Sequence, residues 1–114
     1  GYPNIAWTGN EACDIETMIA FNYSSFTDFP GISCIYYDND GNYSDEKIII
    51  EGENFIDRLG GTYERWGDYF GVQRKFNEPG KVYTFGMTAD ETDRNYGWTN
   101  ELVSPDTVLY IYRI

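Results

Sequence analysis

Glu64-Arg65-Trp66-Gly67-Asp68-Tyr69 opens a strand-like run that closes at the turn Glu78-Pro79-Gly80. The block packs opposite charges, an indole, a glycine hinge, an acid and a phenol into consecutive positions. Residues so mixed are gathered where a tight backbone turn holds them against one another. Pro79-Gly80 suits the two central positions of a type II turn, because proline presets φ and glycine accepts φ > 0. The block thus reads as a joint that leads into a strand and then a hairpin.

Outward from that joint, short apolar or alternating runs recur at even spacing. Before it lie Pro3 to Trp7, Thr17 to Tyr23, Gly31 to Tyr37 and Lys47 to Ile50; after it come Asp68 to Phe76, Lys81 to Gly86, Trp98 to Val103 and Thr107 to Ile114. Turn chemistry divides them: Thr8-Gly9-Asn10, Phe29-Pro30-Gly31 and Asn39-Asp40-Gly41-Asn42. Asp40-Gly41 is a strong hairpin signal between Tyr37 and Lys47. No segment sustains a 3.6-residue period, so the chain is predicted to be all-β. Its strands group as four in residues 1–50, a Gly-rich crossover over 51–66, and four more in 67–114. The halves align loosely at a period of roughly 64 residues, and self-similar four-stranded antiparallel units are the sequence signature of propeller blades.

Composition fits this reading and excludes others. The chain has 114 residues, enough for one modest domain, with 18% aromatics that suit half-buried pleated strands. Its 19 acidic and 8 basic residues give a formal charge of −11, which repels nucleic acid and anionic lipid. No run approaches the about 18 apolar residues that cross a bilayer, so no membrane insertion is expected. There is no His, which removes the commonest general base and metal ligand. Cys13 and Cys34 are either bridged in an oxidising compartment or two buried thiols. Gly1 in place of Met, with no signal-peptide pattern after it, suggests a processed piece of a longer polypeptide.

Four stretches carry a family resemblance: Tyr2-Pro3-Asn4-Ile5-Ala6, Ile19 to Ser25, Glu51-Gly52-Glu53 and Arg65-Trp66-Gly67-Asp68-Tyr69. Together they resemble the closing blades of sialidase-like β-propellers. The Glu64–Tyr69 block with Gln73-Arg74-Lys75 and Glu78-Pro79-Gly80 is most similar to large secreted proteins of Bacteroidetes, exported by the type IX pathway. The resemblance implies two blades of a larger propeller in an extracellular or cell-surface protein. The function expected from it is non-catalytic, in adhesion or assembly, with contacts to the remainder of its own polypeptide or to another chain. The alternatives are a sialidase-type glycoside hydrolase and a carbohydrate-binding module that takes glycans.

Each candidate site has a structural reading beside a chemical one. By the resemblance, Tyr69 would be a nucleophile tuned by Glu64 or Asp68, with Arg65 or Arg74 clamping a substrate carboxylate. The preferred reading makes Arg65 and Asp68 an ion pair that pins the crossover. Trp66 then packs at the joint and Gly67 allows a close approach. Asp38, Asp40 and Asp45 could supply oxygen ligands to Ca²⁺, the one cofactor the sequence suggests. Aligning Gly41 with the EF-hand glycine fails at both ends, where Tyr36 and Lys47 stand, and a plain solvated hairpin is favoured. Asn22-Tyr23-Ser24 and Asn42-Tyr43-Ser44 match the N-glycosylation pattern, and Asp106-Thr107-Val108 a short O-glycosylation motif. Trp66, Trp98 and Arg74 are the binding candidates, within a set of aromatics that includes Tyr83, Phe85, Tyr96, Tyr110 and Tyr112.

Overall fold

The hairpin signals fold as their residues dictate. Gly41 has φ of 83° and donates its N–H to the Asp38 carbonyl at 3.2 Å, closing a turn over Asp38–Gly41. Gly80 also has φ of 83°, and Lys81 N–H reaches the Glu78 carbonyl at 3.2 Å, as the proline-glycine pair requires. Between such turns the aromatic and β-branched runs form eight strands. They are β1 (Asn4–Trp7), β2 (Thr17–Tyr23), β3 (Gly31–Tyr37) and β4 (Lys47–Ile50), then β5 (Gly71–Arg74), β6 (Lys81–Thr88), β7 (Tyr96–Val103) and β8 (Thr107–Arg113). The computed structural model describes residues 3–57, 61–68, 70–90, 96–103 and 107–113, and among them there is no helix.

The strands form two four-stranded sheets in the orders β1-β2-β3-β4 and β5-β6-β7-β8, every pair antiparallel. Among the described residues no strand of one sheet pairs with the other, so the strands form no closed barrel. A bulge between Ile32 and Ser33 shifts the register of β3 against β4. The fifth strand is shorter than the predicted 68–76. Gly67 turns the chain at φ of 75° before it, and after it Lys75–Lys81 is a double turn with Asn77 at φ of 63°.

The core lies between the sheets. Ala6, Met18, Ala20, Ile32, Cys34 and Ile49 from the first sheet meet Phe70 and Val82 from the second side of the joint. Burial of Met18 and Ile32, both fully enclosed, contributes about 1.5–3 kcal/mol each. Many of the other facing residues are small, so the layers approach closely: Gly86 of β6 sits against Ile32, Phe70 and Asn22. Strand alternation then assigns the outer faces. Ile5, Ile19 and Ile35 stand in register across β1, β2 and β3, and Phe21, Ser33 and Ile48 across β2, β3 and β4.

Cys13 is exposed and Cys34 buried, and both remain thiols. Neither the bridge nor the pair of buried thiols is formed. Ala20 opposite Cys34 places the second cysteine on the inner face, while Cys13 lies in the loop after β1.

Candidate functional site

The joint is held by polar contacts to backbone. Asn22 of β2 donates its side-chain N–H to the Gly67 carbonyl at 3.3 Å, in a buried position. Asn4 of β1 donates to the Phe70 carbonyl at 3.2 Å. Higher up, the Thr88 hydroxyl donates to the Pro30 carbonyl at 2.6 Å, and Glu53 N–H to the Ala89 carbonyl at 3.1 Å. Strands that end in loops leave carbonyls needing donors, and three side chains and one backbone N–H supply them here. A Cβ at Gly67 would stand 2.7 Å from the Asn22 amide nitrogen, so the approach depends on glycine.

Around that glycine, Arg65 Nε and Asp68 Oδ2 form an ion pair at 2.5 Å. The Arg65 side chain is 79% exposed, so the pair sits in solvent and contributes at most about 1 kcal/mol. Trp66 is half-buried. Tyr69, the proposed nucleophile, lies outside the described residues. Arg74 is placed away from the ion pair, in β5, with its guanidinium carbon 4.3 Å from the centre of the Trp7 ring. That cation–π contact links the strand edges β1 and β5, and the Trp7 indole N–H donates to the Asp14 carbonyl at 2.8 Å.

Two open hollows flank the joint. One of about 340 Å³ is lined by crossover residues that include Phe55, Asp57, Tyr63 and Glu64. The other, about 490 Å³, lies at the β5–β6 hairpin against Arg74, Phe76 and Pro79. Arg74 therefore faces both an aromatic partner and an open surface. Trp98 is placed on β7, opposite Gly86 of β6 and Arg113 of β8.

The aspartate hairpin uses its acids on itself. Asp38 Oδ1 accepts N–H bonds from Asp40 at 2.9 Å and Asn42 at 2.8 Å. Those donors, Asn42 N–H first, hold its carboxyl below the usual range. Asn39 at the hairpin tip accepts from Ile15 N–H at 2.8 Å and donates to Asp14 at 3.0 Å, locking this hairpin to the loop after β1. Asp14 in turn accepts from Glu11 and Asn10 N–H, which depress its carboxyl as well. Asp38, Asp40 and Asp45 are not gathered: among the described residues no group of three or more His, Cys, Asp or Glu is placed to hold a metal. The Asp38 carboxylate is fixed on backbone N–H groups of the turn.

Two features escaped the sequence. The Tyr36 phenol is pushed up to about 12 by burial first, then by its hydrogen bond to Glu16 and that carboxylate's charge. Such a group stays protonated and is a poor nucleophile. Asn22 reads as a glycosylation acceptor, yet it is buried and bonded to Gly67, because β2 alternation turns it inward. No linear pattern marks either role, since each depends on a partner far along the chain.

No protein-family model matches the chain, and comparison with curated proteins and with solved structures finds no match. No helix among the described residues is long and apolar enough to cross a membrane.

Proposed function

We propose that the chain is two successive blades of a sialidase-like β-propeller, part of an exported cell-surface or secreted bacterial protein that works in adhesion or assembly without catalysis. The observation that carries this is the repeated meander. Each half has the same strand order, and the chain passes from β4 to β5 through a long crossover. The edge strands β1 and β5 lie together through Asn4 and Phe70 and through Trp7 and Arg74. Inner strands side by side, with sheets stacked outward from them, are what consecutive blades require. The charge of −11 suits a secreted protein that stays soluble, and the Arg65–Asp68 pair gives those residues a structural role without invoking a reaction.

The test is an experimental structure of the gene product that carries this segment, with turnover measured on a fluorogenic sialoside. The two sheets are expected as neighbours around one axis, with no turnover. Sheets that share no axis with further blades would overturn the propeller. Turnover that disappears in Tyr69→Phe would overturn the non-catalytic reading in favour of a glycosidase, and glycan affinity without turnover would favour a carbohydrate-binding module.

A further inference from the structure

In a chain with 19 acidic and 8 basic residues, a half-buried guanidinium is expected to find a carboxylate of its own. Arg74 does not. Val72 and Arg74 stand opposite Thr84 and Val82, both buried, so the Arg74 position belongs to the inner face of the second sheet. Its guanidinium lies over the Trp7 ring, with its carbon 4.3 Å from the ring centre. Among the described residues no carboxylate is within ion-pair distance of it, and no acceptor takes its side-chain N–H groups. The acids of the adjoining loops are committed elsewhere. Glu78 bridges Lys75 and Lys81 at 2.8 and 2.6 Å, and the Asp14 carboxylate accepts from Asn10, Glu11 and Asn39. Glu101 stands in register with Tyr83, a position of the other face.

What is left is a forked donor on the wall of an open hollow. Trp7 is held in place behind it, since its indole N–H is bonded to the Asp14 carbonyl at 2.8 Å and Asp14 is tied to Asn39. A guanidinium supported in this way presents N–H donors in a rigid fork that matches the two oxygens of a carboxylate. The hollow, of about 490 Å³, adds Phe76, which is 87% exposed, and Pro79 as apolar walls, with the amides of Gln73 and Asn77 beside them. Arginine and an aromatic in one recess are the residue types that anchor protein partners. A sugar fits less well, because its hydroxyls ask for several fixed polar groups, whereas Gln73 and Asn77 are both exposed. A polyanion fits worse still: the chain's charge of −11 repels it, and Lys75 and Lys81 are held by Glu78.

We propose that the hollow at the β5–β6 hairpin docks a segment of another protein that carries a carboxylate beside an apolar side chain. Arg74 takes the carboxylate in its fork, Phe76 and Pro79 receive the apolar group, and the Gln73 and Asn77 amides serve the peptide backbone. This site rests on the assembly reading above and gives the partner its chemistry.

The 114-residue chain is titrated with the blocked tripeptide N-acetyl-Phe-Glu-Phe-amide, with its Phe-Gln-Phe counterpart as the uncharged control. Binding is followed by NMR at the Arg74 Nε–H and at the backbone amides of residues 73–78. Saturable shifts confined to that region are expected, with affinity about tenfold or more higher for the glutamate peptide and falling as salt is raised. Arg74→Lys keeps the charge and loses the fork, and is expected to lose most of that preference. Phe76→Ala, at a position the fold leaves in solvent, is expected to weaken both peptides and keep the preference. Circular dichroism confirms that each variant is folded, and Phe76→Ala tests the hollow without touching the Arg74 contact with Trp7. No saturable shift near Arg74, equal affinity for the two peptides, or a preference unchanged in Arg74→Lys overturns the proposal. So does tighter binding of glucuronate than of the glutamate peptide at the same residues, which would make the hollow a carbohydrate site. Blade geometry and sialoside turnover are measured independently of these shifts, so failure here leaves the propeller and non-catalytic readings standing.

Discussion

Gly67 carries more of the architecture than its size suggests. Its φ of 75° belongs to the region that side chains resist, and the Asn22 amide occupies the space a Cβ would need. Gly80 shares the positive φ but has open space around it. Replacing each by alanine separates strain from crowding. Gly80→Ala is expected to cost about 1 kcal/mol from backbone conformation alone, and Gly67→Ala about 2–4 kcal/mol because the Asn22 contact breaks as well. Urea unfolding of the two variants measures the difference; equal costs would remove the crowding argument. At the same scale, burial and the Glu16 carboxylate push the Tyr36 phenol up from 10.0 to about 12. A group raised in this way contributes stability that is complete below pH 10.0 and is lost as pH rises toward about 12. Tyr36→Phe is expected to flatten the alkaline limb of the stability curve and to delete one late-titrating phenolate from the ultraviolet spectrum.

At the scale of elements, the crossover holds its place through side chains that satisfy its backbone. The Asn22 bond to the Gly67 carbonyl is buried, whereas the Asn4 bond to the Phe70 carbonyl is only partly so. Asn22→Ala leaves a buried carbonyl without that donor and is expected to cost about 1–3 kcal/mol, and Asn4→Ala about 1 kcal/mol or less. Hydrogen exchange at the amides of β5 and β6 reads whether the loss is local to the joint, and unchanged protection in Asn22→Ala would show that the bond does not position the crossover. The strands themselves were legible beforehand. Thr17–Tyr23, Gly31–Tyr37 and Lys47–Ile50 stand where the apolar runs place them, and the Asp-Gly and Pro-Gly pairs turn where backbone preference requires. The fifth strand was not, because its ends are set by Gly67 and Asn77 taking positive φ, one pressed on Asn22 and the other inside a double turn.

The whole molecule is two layers with one core between them. Val82 is fully buried on the second sheet, in the cluster with Met18, Ala20 and Ile32 of the first. A shared core couples the sheets, so unfolding followed by far-ultraviolet circular dichroism and by tryptophan fluorescence is expected to show a single coincident transition. Val82→Ala is expected to lower stability by about 1–3 kcal/mol in both signals together, and two separated transitions would mean that each sheet has a sufficient core of its own. The molecule measures 49 × 25 × 20 Å.

The residues alone determined the all-β class, the turn positions and most strand limits, because period-two alternation and glycine or proline backbone preferences are local. They also displayed the candidate charges: Arg65 beside Asp68, and the aspartates of the 38–45 hairpin. Only the tertiary structure decided what those groups face. β2 and β3 are apolar on both sides, so sequence cannot say whether Met18 and Ala20 or Ile19 and Phe21 point inward. Stacking against β6 buries the first set and leaves the second outside. Burial is a property of two surfaces brought together from distant parts of the chain, and no local pattern carries that information.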